Sequence, residues 1–92
     1  MTAMVTVAAT PVAEGWECAV EVAEGGGRTS HTVTVRPRDI ERWGRPAEAP
    51  EQLVVRAFEF LLAREPAGSI LRRFEVSDIS RYFPEFDREM RA

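Results

Sequence analysis

The sequence predicts an α+β domain, with a three-stranded antiparallel sheet followed by one main helix and two or three short C-terminal helices. Three observations carry this prediction. Apolar residues alternate with period two in three segments of the N-terminal half, the pattern of half-buried strands. Three glycines, Gly25 to Gly27, separate the second and third of these segments. The C-terminal half changes to helical spacing, is punctuated by Pro50, Pro66 and Pro84, and holds most of the large side chains.

The first strand is predicted over residues 3–9, where Val5 and Val7 lie on one side and Met4 and Thr6 on the other. Pro11 and Ala13-Glu14-Gly15 then break it. Over 16–24, Trp16, Cys18, Val20 and Val22 share one face, and Glu17, Ala19, Glu21 and Ala23 the other. The third strand, 28–36, puts His31, Val33 and Val35 together. Glycine tolerates the positive φ of a tight turn, so the triplet joins these two strands as a hairpin. With Gly26 and Gly27 in the turn, Val22 faces His31, Val20 faces Val33, Cys18 faces Val35, and Glu17 pairs with Arg36 on the solvent side. A turn at Gly25 and Gly26 slides the register by two residues.

Pro37 ends the third strand, and 39–44 reads as a short helix carrying Ile40 and Trp43 and closed by Gly44. After a Pro- and Ala-rich linker, Pro50 starts the main helix, 50–65, with Glu51 favourably placed against the helix dipole. Leu53, Val54, Val55, Ala57, Phe58, Phe60, Leu61 and Leu62 cover more than half of its circumference, leaving Gln52, Arg56 and Glu59 as a polar stripe. An apolar surface that wide requires cover on two sides, from the sheet and from the C-terminal helices. Glu65-Pro66 stops the helix. Ser69 is predicted to cap a short helix over 69–74 that buries Ile70, Leu71 and Phe74, and Ser77 to cap another over 77–82 with Ile79 and Tyr82 inward. Pro84 starts a last helix, 84–91, with Phe86 and Met90 four apart.

A chain of 92 residues makes one domain with a small core. Its composition, 45% apolar and 29% charged, is that of a folded protein. The net charge of −3 names no partner. All twelve cations are arginine, and lysine and asparagine are absent, as a GC-rich bacterial genome would produce. Schiff-base lysine and lysine-bearing phosphate-loop chemistry are therefore excluded. Cys18 is the only cysteine, so no intrachain disulfide forms, and a reducing cytoplasm is the expected compartment. No segment approaches the roughly 20 apolar residues of a membrane span, and no membrane partner is expected.

His31 is the only histidine, so any Ser-His-Asp or Cys-His site would have to use it. The predicted register puts it two pairs from Cys18, out of hydrogen-bond reach, and a hairpin histidine half buried near the sheet edge is the expected outcome. Tetrahedral zinc wants four ligands, and Glu17 and Glu21, the nearest carboxylates, point to the other face. The glycine triplet lacks the spacing, lysine and following helix of a phosphate loop. No catalytic residue, cofactor or metal is therefore expected, and the sequence points to a non-enzymatic interaction or regulatory module. Phe83, Phe86 and Met90 are expected to be only partly buried and, with Tyr82, are the candidate surface for a protein partner or for self-association. The competing expectation is nucleic-acid or polyanion binding through Arg28, Arg36, Arg38, Arg42 and Arg45, which stand against only Asp39 and Glu41 in that segment.

The residues Phe60-Leu61-Leu62-Ala63-Arg64-Glu65-Pro66, then Ser69-Ile70-Leu71, Phe74, Ile79 and Arg81-Tyr82-Phe83-Pro84-Glu85, together with the strands carrying Trp16 and His31, resemble a pattern in a family of short, uncharacterised bacterial proteins. The resemblance implies a fold unit that stands alone. It brings no activity and no catalytic residue.

Overall fold

The computed structural model describes residues 3–91. Its N-terminal half is a meander of three antiparallel strands, β1 (Met4–Val12), β2 (Gly15–Glu24) and β3 (Gly27–Val35). β1 runs past the expected end at residue 9 and through Pro11, which an edge strand tolerates because its outward side needs no N–H. The β1–β2 hairpin closes through Ala13 and Glu14, pairing Val12 with Gly15. Gly15 has φ +134°, and a Cβ there would run into the Val35 carbonyl oxygen, so only glycine fits.

The β2–β3 turn sits on Gly25 and Gly26, with φ +59° and +82°. Positive φ at both central residues is what a two-residue hairpin in the sheet's own twist demands, and it leaves Gly27 to open β3. The register is therefore the one two residues away from that of a Gly26-Gly27 turn: Cys18 faces Val33, Val20 faces His31, and Glu17 faces Thr34 rather than Arg36. The shift keeps every residue on its predicted face, since the side-chain period is two.

A fourth strand was not expected. β4 (Arg73–Glu75) pairs in parallel with Thr32–Thr34 of β3, giving a mixed sheet in the order β1-β2-β3-β4. It occupies ground predicted to be helix over 69–74, of which the helical part is a single 3-10 turn, Ala67–Ser69. Arg73-Phe74-Glu75 alternates out, in, out, and the Thr32 N–H reaches the Arg72 carbonyl at 2.7 Å. The unpaired edge of β3 thus draws a short segment into the sheet in place of local helix.

The helices are α1 (Pro37–Trp43), α2 (Pro50–Leu62), α3 (Val76–Tyr82) and α4 (Glu85–Arg91). α1, α2 and α3 start with one device: a side chain at the third helical position accepts the N–H of the residue before the helix. Asp39 serves Arg36 at 2.9 Å, Gln52 serves Ala49 at 2.9 Å, and Asp78 serves Glu75 at 3.0 Å. Ser77 accordingly lies inside α3 and does not cap it. α2 ends at Leu62, three residues early, and the N–H groups of Arg64 and Glu65 both turn back to the Leu61 carbonyl.

α2 is covered on two sides, as its wide apolar surface requires. Phe58 packs toward the sheet, its ring 5.2 Å from His31 and 6.0 Å from Phe74. Phe60 points the other way, 5.0 Å from Phe86 of α4 and 5.8 Å from Phe83. Phe86 also meets Trp43 at 5.2 Å, so α1, α2 and α4 close one aromatic cluster. Phe86 and Met90, expected to be partly buried, are core residues because α4 folds back onto this cluster.

Candidate functional site

The most distinctive concavity among the described residues is an apolar groove of about 260 Å³ between the end of α2, the 3-10 turn and α3. Leu61, Ile70, Phe74 and Ile79 form its floor, and Leu71, Tyr82 and Phe83 its rim. Leu71 is 54% exposed and Tyr82 69%, so two large apolar side chains project into solvent beside an apolar slot. Two carboxylates border it. Asp78 is engaged by the Glu75 N–H and by Arg81 at 3.5 Å, whereas Glu65 has no ion pair among the described residues.

Local structure explains both exposed residues. On α3, Val76 and Ile79 face inward; Phe83 continues that face, at 100° per residue, and Tyr82 falls to its edge. Phe83 wins the inward place by packing on Phe60. Tyr82, predicted inward, is therefore outside. Leu71 lies between buried Ile70 and the strand, and its carbonyl accepts a hydrogen bond from His31 Nδ1 at 2.8 Å. A carbonyl can only accept, so Nδ1 donates to it, and Nε2 shares a second hydrogen bond with the Thr29 hydroxyl at 2.9 Å. His31 pins the backbone of Leu71 from beneath the groove rim.

His31 is buried, not half exposed at a sheet edge, because β4 has covered that edge. Both of its ring nitrogens are engaged, neither by Cys18. The Cys18 thiol is pushed up to about 11, first by burial and then by the charge of Glu51, the opposite of what an attacking thiolate needs. Among the described residues, no group of three or more His, Cys, Asp or Glu side chains is placed to hold a metal ion. Among the described residues no helix is long and apolar enough to cross a membrane.

The arginines of the 28–45 segment do not form one surface field. Arg28 pairs with Glu21 at 2.9 Å, and Arg36 with Glu75 at 2.8 Å and Glu14 at 3.7 Å. Arg42 pairs with Asp87 at 2.9 Å and lies over the Trp43 ring. The Arg45 N–H donates to Glu48, and Arg38 projects from the first turn of α1. Arg36 reaches Glu75 rather than Glu17 because β4 lies beside β3.

The polar stripe of α2 conceals a short, largely buried ion pair. Arg56 grips both oxygens of Glu48 at 2.6 Å, and donates further to the carbonyls of Trp43 at 2.8 Å and Met90 at 3.1 Å. Only 15% of the Arg56 side chain and 9% of that of Glu48 meet solvent. One guanidinium thus ties α2 to the α1–α2 loop and to α4. The signal for it was an arginine centred in an otherwise apolar helix, but its partner lies in a linker that spacing alone does not connect to it.

Comparison with family models, with curated proteins and with solved structures returns no match.

Proposed function

We propose that this domain is a non-enzymatic protein-interaction module that docks a short partner segment in the groove rimmed by Leu71 and Tyr82. The observation that carries this reading is the pair of exposed large apolar side chains, Leu71 and Tyr82, beside an apolar floor. A ligand that fits would insert one or two large apolar side chains and place a basic residue against Glu65. The backbone of the rim is held by the His31–Leu71 hydrogen bond, so the surface is pre-organised. The engaged nitrogens of His31 and the raised Cys18 thiol support a binding role over a catalytic one. A polyanion, by contrast, would have to displace the carboxylates that hold Arg28, Arg36 and Arg42.

Selection of a displayed random-peptide library on the purified domain tests the reading. The expected consensus pairs a bulky apolar residue with a nearby Arg or Lys, and Leu71→Asp and Tyr82→Asp each weaken binding by about tenfold or more, the scale of one lost apolar anchor. A failure to enrich any consensus, or binding that survives both substitutions, overturns it.

A further inference from the structure

We infer that β1 is a homodimerisation edge, at which two copies of the chain pair their β1 strands antiparallel about a two-fold axis and join two four-stranded sheets into one. Natural sheets protect exposed edges with short strands, charges, bulges or covering elements. β1 has almost none of these. It is nine residues long, pairs with β2 without a bulge, and contains no charged residue from Met4 to Val12. The opposite edge of the sheet is β4, only three residues long, whereas β1 is a long edge with nothing among the described residues paired to its outer side.

The direction of the free backbone groups follows from the turns. Val12 and Gly15 flank a two-residue hairpin loop and form its closing hydrogen-bonded pair, so Met4, Thr6, Ala8 and Thr10 also turn their N–H and C=O toward β2. Val5, Val7, Ala9 and Pro11 turn theirs outward. The β2–β3 hairpin, closed by Glu24 and Gly27, gives the same assignment. Pro11, the one outward position without an N–H, marks where outward pairing stops.

A second copy fits this edge. Val5, Val7 and Ala9 point to the core side but are only half buried, because the sheet ends there while α2 overhangs it. Half-buried Val55 and Leu62 of α2 complete a furrow along that junction. A strand entering it must be uncharged, with small apolar side chains at alternate positions, and β1 is itself such a strand. Centring the two-fold axis on Thr6 pairs Ala3 with Ala9 and Val5 with Val7 of the other copy and leaves Pro11 outside the ladder. Glu51 and Glu59 at the border of the furrow select against an acidic strand. The seven-residue ladder Ala3–Ala9, about 24 Å long and two layers, about 20 Å, deep, offers roughly 480 Å² per copy, the size of a weak, concentration-dependent interface.

The test is sedimentation and light scattering of the full chain from about 1 to 500 µM, a range bracketing micromolar dissociation constants, combined with amide exchange of β1. The expected result is a concentration-dependent doubling of mass, with the Val5, Val7 and Ala9 amides gaining protection as the dimer forms while those of Thr6 and Ala8 are protected throughout. Val7→Pro removes an outward N–H without touching the β1–β2 ladder and is expected to give a folded monomer. Should that variant misfold, Thr6→Lys decides instead: it places like charges face to face at the axis on a solvent-facing position, and is expected to raise the dissociation constant in a salt-dependent way. A monomer across the whole range, or a dimer unaffected in a folded variant, overturns the inference. Leu71→Asp and Tyr82→Asp lie on a different surface and are expected to leave the dimer intact, so this interface and the groove fail or stand separately.

Discussion

Replacing Arg56 by Ala should be among the most damaging single changes available to this fold. The guanidinium makes two 2.6 Å bonds to Glu48 and one each to the carbonyls of Trp43 and Met90, in a place where its side chain is 15% exposed. Its loss strands a carboxylate that is 9% exposed and takes a donor from two backbone carbonyls. Breaking one partner out of a buried ion pair costs about 3–5 kcal/mol, because the remaining charge stays desolvated without compensation. Against a total stability of about 5–14 kcal/mol for a domain of this size, that removes about a fifth or more of the whole. The corresponding fall in melting temperature is about 12 °C or greater.

Urea unfolding of wild type, Arg56→Ala, Arg56→Lys and the double change Arg56→Leu with Glu48→Leu separates the contributions. Lysine keeps the charge but cannot grip both oxygens at once, so a loss of about 1–3 kcal/mol is expected. The double change removes the desolvated charges together and should recover much of what Arg56→Ala loses. A cost below about 1 kcal/mol for Arg56→Ala would place the pair among ordinary surface ion pairs and refute the reasoning.

Three further outcomes follow from the same contacts. The Arg56 hydrogen bonds hold the Glu48 carboxyl below its usual range, so its stabilisation is fully present above the unfolded value near pH 4.3 and disappears as pH falls through the lower folded value; urea midpoints between about pH 2 and 6 should drop less steeply in Glu48→Gln than in wild type. Asp39 acts in the opposite sense, since burial raises its carboxyl against the weaker pull of the Arg36 N–H. Gly15→Ala should cost about 3 kcal/mol in thermal or urea melts, from positive φ together with the clash on the Val35 carbonyl, whereas Gly68→Ala, whose Cβ meets nothing within 4 Å, should be nearly silent. With its thiol raised to about 11, Cys18 should react with a disulfide reagent at pH 8 more than about 100-fold slower in the folded protein than after denaturation, and rapid labelling of the native chain would contradict its burial.

What could be read in the sequence divides along a physical line. Contacts between neighbours in the chain were legible: the faces of Trp16 to Ala23, the hairpin at the glycines, Pro50 as a helix start, and the need for α2 to be covered twice. Each rests on a period or a turn that a few adjacent residues specify by themselves. Where the reading failed, a distant segment made the decision. Residues 69–74 carry apolar side chains at helical spacing, yet β3 offers unpaired backbone groups forty residues upstream, and three residues of strand satisfy them. Tyr82 and Phe83 both lie within helical reach of Ile79, and the position of Phe60 on another helix chooses between them.

The same division explains why the candidate surfaces emerged as they did. A groove is made by elements far apart in sequence, and Leu71 belongs to its rim because His31, forty positions earlier, holds its carbonyl. Phe86 and Met90 were excluded from that surface by the packing of α4 on Trp43, which spacing could not foresee. The edge of β1 is the opposite case. Its length, its lack of charge and its lone Pro11 are all written in residues 4–12, but they acquire meaning only when the sheet order places β1 outermost, with the short β4 at the other edge. A strand of that composition inside a sheet would be an ordinary core strand. At an edge it is an unfinished hydrogen-bond ladder, and a chain that left it without charge or bulge has kept it open for pairing.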